Sequence, residues 1–141
     1  MVAVVQMDEP IKGICNNSQV YSILPFPGNG QEKAKAPFTK EELTTKLNAE
    51  VTYYKDSTNY TDKGMVGIYV NCEGKMVQCK IDNKTRHSEL DEQIVKVFSQ
   101  MKTWVAGSIH GKPVDTIVLY SFDIVNGIIY SYNDAFIKNN N

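Results

Sequence analysis

The stretch that decides the fold is SELDEQIVKVFSQMKTW, residues 88–104. Its apolar residues recur at steps of three and four, which predicts one long amphipathic helix with a stripe wide enough to cover one face of a sheet. Ser88 is the expected N-cap, and the acids of the first turn favour a helix start because they oppose the helix dipole. The stripe consists of Leu90, Ile94, Val97, Phe98, Met101 and Trp104.

Runs rich in strand-forming residues lie on both sides of this helix. Residues 65–71 and 75–82 flank Gly74, which predicts a tight hairpin turn because glycine adopts the left-handed conformation at little cost. Residues 113–124 alternate between two faces after the helix, and Asn126-Gly127 predicts a second hairpin into residues 128–132.

A shorter helix is predicted nearer the amino terminus, at about residues 40–49. Thr39 and Glu42 have the spacing of a capping box, and Leu43 and Leu47 form its apolar side. The expected fold class is therefore α+β: an antiparallel sheet with one long helix packed across it, in the order strand, strand, helix, strand, plus this N-terminal helix. We expect a loosely structured lead-in at residues 1–37, a single domain at 38–137 and a frayed tail at 138–141.

Composition excludes several classes of function. The 141 residues carry a net charge of −1, and Arg86 is the only arginine. Nucleic-acid binding normally needs a basic patch with several arginines, so we expect no nucleic-acid partner. No apolar run reaches the roughly 20 residues that span a bilayer, so we expect no membrane span within this chain.

Catalytic and metal-binding patterns are weak. Cys15, Cys72 and Cys79 are an odd number of cysteines without a CxxC pair, which leaves the pairing open and predicts no metal site. His87 and His110 fall in expected loops, where a solvated polar role is the common one. We therefore predict a non-enzyme without a cofactor.

Residues 64–124 resemble the C-terminal domain of the TonB family, and residues 1–63 resemble the lead-in of TonB-like envelope proteins of Bacteroidetes type. The resemblance covers about 60 of the 141 residues. It is carried by the hairpin at 64–77, the helix-opening Ser88-Glu89-Leu90-Asp91, Trp104, the Gly111-Lys112-Pro113-Val114 that leads into the last strand, and Phe122.

This resemblance implies a periplasmic or cell-envelope module that binds proteins, linked to outer-membrane transport or envelope coupling. The family adds a short extended transporter peptide to a sheet edge by β-augmentation. Here the implied edge is 114–124, and a fold-back of residues 128–132 would cap it. The implied partner-binding residues are Val114, Thr116, Val118, Tyr120, Phe122 and Ile124, and the implied structural residues are Gly74, Leu90, Trp104 and Pro113.

Two alternatives stay open at the level of sequence. Exposed sheet edges also pair with themselves, so a self-associating structural module, for example a homodimer, is the second hypothesis. The third is a small thiol-dependent hydrolase that uses Cys72 or Cys79 with His110. The state of the cysteines separates this third hypothesis from the other two.

Overall fold

The computed structural model of the chain describes residues 1–24, 28–54 and 58–133. Two helices of 11 residues each occur there, α1 at Lys40–Glu50 and α2 at Ser88–Phe98. The strands are β1 Val2–Val4, β2 Val20–Ile23, β3 Gln31–Glu32, β4 Asp62–Val70, β5 Met76–Asn83, β6 Gly107–Ile109, β7 Lys112–Val125 and β8 Ile128–Tyr132. The tail expected to fray, 138–141, lies outside the described residues.

The predicted fold class is wrong in two respects. The sheet is mixed and has eight strands, in the order β1-β2-β7-β4-β5 with β3, β6 and β8 attached off this path. Val20 and Tyr21 of β2 pair in parallel with Asp115 and Thr116 of β7. This pairing joins residues almost a hundred positions apart, and alternation within each strand does not encode such a partner.

The second error concerns the long helix. α2 ends at Phe98, and the Ser99 hydroxyl donates a hydrogen bond of 2.7 Å to the Val95 carbonyl at that end. The Gln100 and Met101 amides then bond to carbonyls three residues back, which is a tight turn rather than a continued α-helix. Met101 and Trp104 are still buried, so their apolar spacing reflects burial in an irregular segment.

The ends of the two helices differ in how well the sequence predicts them. Thr39 caps α1, and the predicted capping box is confirmed, since its hydroxyl accepts from the Glu42 amide and the Glu42 carboxylate accepts from the Thr39 amide. The N-cap of α2 is His87 rather than Ser88, and no side chain caps that end. The nearby Asp91 carboxylate instead accepts from the Thr85 amide and hydroxyl.

The chain divides into two compact units. Unit 1 consists of Met1–Pro37, Ile68–Gln78 and Lys102–Val118, so residues 1–37 with their three short strands belong to it. Its buried apolar residues are Val20, Ala34, Ile68, Tyr69, Val70 and Trp104.

Unit 2 consists of Phe38–Gly67, Cys79–Met101 and Leu119–Asn141, and it contains both helices. Its fully buried apolar residues include Leu47, Leu90, Ile94, Phe98, Phe122 and Ile129. Within the ranges that the structure describes, neither helix is long and apolar enough to cross a membrane.

Candidate protein-binding edge

β7, the strand predicted to bind a partner, is not a free edge. β2 and β4 flank it in the sheet, and β6 and β8 also pair with it. β8 covers Ser121–Val125 through a hairpin in which Asn126 and Gly127 both have positive φ, as that turn requires. Of the predicted partner-binding residues, Thr116, Tyr120, Phe122 and Ile124 are buried, and Val114 and Val118 are half-buried.

The predicted structural residues lie where packing needs them. Gly74 forms the turn between β4 and β5 with a φ of +81°, and an added Cβ would lie 2.4 Å from the Trp104 carbonyl oxygen. Leu90 and Trp104 are buried, and Pro113 pairs with Ser108 near the start of β7.

β5 is the strand that ends the sheet beyond β4. At its start the Lys75 carbonyl accepts from Asn71 in the hairpin, whereas the Met76 amide turns the other way and donates to Lys102 at 3.0 Å. Because main-chain groups alternate along a strand, the N–H and C=O of Lys80 and Asp82 also point away from β4. In the described residues no hydrogen bond reaches these four groups.

The side chains of this part of β5 divide cleanly between its two faces. The Cys79 sulfur lies 4.0 Å from the Val95 carbonyl oxygen of α2, so one face of the strand is turned toward the helix. Lys80 and Asp82 are exposed on the other face. A lysine in the middle of a strand is typical of an edge strand, because the charge discourages unselective pairing. That signal was available in the sequence.

The cysteines do not provide a reactive thiol. Cys72 is bonded to Cys15 in a disulfide, and a disulfide sulfur is not a nucleophilic thiolate. Cys79 is the free cysteine, and burial raises the pKa of its thiol more than the Ser99 hydrogen bond lowers it. Both observations count against the thiol-dependent hydrolase.

Asp115 lies beside the disulfide and is almost fully buried. Its carboxylate accepts from the amides of Cys15, Asn16 and Cys72 at 3.0, 2.8 and 2.9 Å. Two cysteines and an acid are a combination that binds metals elsewhere, but here the sulfurs are bonded to each other and both carboxylate oxygens already accept hydrogen bonds. This cluster therefore joins two loops through the disulfide and the hydrogen bonds to Asp115.

An aromatic and charged cluster occupies unit 2. Tyr60 stacks on Tyr54 with ring centroids 5.0 Å apart, and its hydroxyl donates to the Asp62 carboxylate. Burial, then the hydrogen bond to Asp62, raises the pKa of Tyr60 to about 12, and burial also raises that of Tyr54 to about 12. Burial opposes ionisation of Asp62, but hydrogen bonds from Tyr60, Arg86 and Lys63 outweigh it and lower the pKa.

These directions keep the tyrosines protonated and the aspartate ionised at neutral pH. Arg86 completes the cluster, with its Nε 3.5 Å from Asp62 and its guanidinium over the Tyr60 ring. Such a set holds a loop in place, because Tyr60, Asp62 and Arg86 are each paired with a neighbour.

Comparisons with protein-family models, with curated proteins and with solved structures gave no match to this chain.

Proposed function

We propose that this chain is a non-catalytic protein-binding module of the periplasm or cell envelope, which adds an extended segment of a partner protein to the edge of β5. The observation that carries the proposal is the outward-pointing main chain of Lys80 and Asp82, which no group in the described residues pairs. The resemblance to the TonB C-terminal domain favours a transporter peptide of the outer membrane as the partner.

The chemistry of the edge limits the partner segment. Its main chain would supply two donors and two acceptors to Lys80 and Asp82, which gives affinity without sequence selectivity. Selectivity would come from cross-strand side chains, since opposite charges facing each other across a ladder stabilise the pair and like charges destabilise it. We therefore expect an acidic and a basic residue two positions apart in the partner.

The disulfide supports the proposed location. Cys15 and Cys72 are bonded to each other, and such bonds persist in oxidising compartments such as the periplasm. The Asp115 carboxylate accepts hydrogen bonds from the amides of both cysteines, so it holds the main chain on both sides of the disulfide.

A proline substitution at position 80 tests the edge directly. Lys80→Pro removes an N–H that points away from β4, so it spares the β4–β5 ladder while removing a donor from the partner. Lys80→Ala is the matched control, because it removes the same charge and keeps the N–H. The measurement is a pull-down from a Bacteroidetes envelope extract, after circular dichroism shows that both variants fold.

We expect Lys80→Ala to retain a specific partner and Lys80→Pro to lose it. A partner that both variants retain would rule out recognition at this edge. A partner that both lose would assign recognition to the lysine charge instead of the main chain.

A second candidate, self-association, is favoured by the charge order of the same strand. If two copies of β5 pair antiparallel about Ile81, Lys80 of one copy faces Asp82 of the other, twice over because the contact is symmetric. The edge is thus complementary to itself in charge.

Charge reversal separates this homodimer from a monomer. Lys80→Glu places like charges opposite Asp82 at two sites, and about 0.5 kcal/mol per site corresponds to roughly a fivefold weaker dimer. The double variant Lys80→Glu with Asp82→Lys restores the opposite charges and should restore the dimer. Sedimentation velocity over a concentration series measures both, and a wild-type chain that stays monomeric throughout would exclude self-association.

A further inference from the structure

Two positions along the outer edge of β8 are paired with groups from other parts of the chain. The Gly127 amide just before β8 donates to the Tyr60 carbonyl at 2.9 Å. Asn48 of α1 then pairs with both main-chain groups of Ile129: its Oδ1 accepts from the amide and its Nδ2 donates to the carbonyl, each at 2.9 Å. The carboxamide of Asn48 therefore takes the place of a residue in a neighbouring strand.

The next position along this edge is Ser131. β8 pairs with β7 in an unbroken register from Ser121↔Tyr132 to Val125↔Ile128, so main-chain direction alternates without a bulge. The N–H and C=O of Ser131 consequently point the same way as those of Ile129. In the described residues no hydrogen bond reaches either group, although only 2% of Ser131 is exposed.

An unpaired main-chain donor and acceptor at a buried residue is costly and therefore rare. At Ser131 neither group has a partner among the described residues, and the two groups lie side by side in the geometry that the Asn48 carboxamide satisfies at Ile129. This is the observation that points to a ligand.

A groove of about 360 Å³ lies at this position. β8 contributes Tyr130, Ser131 and Tyr132, and α1 contributes Lys40, Glu41, Thr44 and Thr45. One turn of helix rises about as far as two strand residues. Thr44 therefore lies opposite Ser131, as Asn48, one turn further along α1, lies opposite Ile129. Threonine has no side-chain carboxamide that could extend across the groove. In the described residues no hydrogen bond joins Thr44 to Ser131.

We infer that this groove binds the side-chain carboxamide of an asparagine or glutamine presented by a partner protein. The carboxamide oxygen accepts from the Ser131 N–H, and its NH₂ donates to the Ser131 C=O, as Asn48 does at Ile129. A carboxylate lacks the donor and an ammonium lacks the acceptor, so neither satisfies both groups. Tyr130, which is 44% exposed, offers apolar surface to the methylenes of the ligand.

The inference does not depend on recognition at β5. It uses only residues of α1 and β8, and its test needs no natural partner. Failure of one proposal therefore leaves the other standing.

The test is a titration of ¹⁵N-labelled full-length protein with propionamide, which carries the carboxamide of a glutamine side chain. We expect saturable shifts of the Ser131 amide, with an affinity on the order of millimolar or weaker because so few atoms bind. Propionate is the matched control: it has the same size but no N–H, and we expect at least tenfold weaker binding.

Variants at position 44 give the second measurement. Thr44→Asn places a carboxamide opposite Ser131 from within the protein, so we expect it to abolish the propionamide response without lowering the melting temperature. Thr44→Ser keeps a short side chain and should keep the response. Lys80→Pro should also keep it, since that residue belongs to the other edge.

Two results would overturn the inference. One is an equal response of the wild-type protein to propionamide and propionate, which would mean unselective contact. The other is an undiminished response in folded Thr44→Asn. If Thr44→Asn does not fold, the comparison of the two ligands on the wild-type protein still decides.

Discussion

Asp115 shows how a single buried charge can organise distant parts of the chain. It stands in β7, yet its carboxylate accepts main-chain hydrogen bonds from residues on both sides of the disulfide. Sequence alternation alone does not identify this role, because an acid within a strand is equally compatible with an exposed face. The burial follows from the parallel pairing with β2, which only the folded chain reveals.

Replacing Asp115 should destabilise the fold. We expect Asp115→Ala to lower the free energy of unfolding by about 3 kcal/mol or more, because three main-chain amides lose a charged and buried acceptor. Asp115→Asn keeps one acceptor oxygen and should cost less. Urea denaturation measures both, and a loss below about 1 kcal/mol for the alanine variant would mean that water replaces the carboxylate.

Tyr54 and Tyr60 give a signature at alkaline pH. Both pKa values are raised to about 12, so the stability that these groups contribute is fully present below pH 10 and is lost as the pH rises through about 12. Absorbance of tyrosinate during a pH titration should show two late-ionising groups. Tyr60→Phe should remove one of them, and ionisation of every tyrosine near pH 10 would contradict the cluster.

The contribution of Asp62 to stability depends on pH in the opposite direction to that of the tyrosines. Its lowered pKa contributes stability that is present above its unfolded-state value of about 4 and is lost as the pH falls through the folded-state value. We expect Asp62→Asn to flatten the acid limb of the stability profile, as followed by urea denaturation at several pH values. An unchanged acid limb would mean that the Tyr60–Asp62–Arg86 contacts do not form in solution.

For helices and strands, the sequence predicts the local signals, such as caps and turns, better than it predicts where an element ends. The capping box of α1 and the Asn126-Gly127 hairpin are confirmed, because a few adjacent residues determine each of them. The end of α2 was missed, since Met101 and Trp104 continue the helical spacing while the backbone has already turned at Ser99. The spacing of Met101 and Trp104 therefore indicates that both residues are buried, and it does not indicate that the helix continues.

The turn between β4 and β5 offers an element-level test with an internal control. Gly74 and Gly111 have nearly equal φ, +81° and +79°, but an added Cβ meets the Trp104 carbonyl oxygen at Gly74 and nothing within 4 Å at Gly111. We expect Gly111→Ala to cost about 1 kcal/mol for the left-handed backbone alone, and Gly74→Ala about 3 kcal/mol. Equal losses in thermal denaturation would show that the backbone at Gly74 relaxes away from Trp104.

For the whole molecule, the missing information was which strands meet. Between residues 62 and 132 the sequence predicts β4, β5, β7 and β8 in the correct order but does not predict β6. It also does not show that β2 pairs with β7, so that β7 has no free edge and β5 ends the sheet. Because of that pairing, the candidate binding edge lies at Lys80 and Asp82 and not at the predicted Val114–Ile124. Pairings between distant segments depend on the cost of closing long loops and on shared burial, and no local pattern reports either.

The disulfide is the covalent counterpart of that long-range pairing. Cys15 and Cys72 are separated by 57 positions, and closing a loop of that length stabilises the fold by about 4 kcal/mol in the chain-entropy model. The double variant Cys15→Ser with Cys72→Ser should lose about that amount in urea denaturation, and Cys79→Ser should lose much less. Equal stability of the double variant and the wild type would mean that hydrogen bonding to Asp115 alone holds the two loops.

The same bond changes how the molecule responds to pulling. Tension applied at the amino terminus enters the chain before Cys15 and crosses directly to Cys72, so residues 16–71 carry none of it while the bond is intact. Fully extended, a segment of that length would add about 200 Å. In an optical trap the oxidised protein should therefore unravel to a contour shorter by about that distance, and a reductant should release the hidden length in a single experiment.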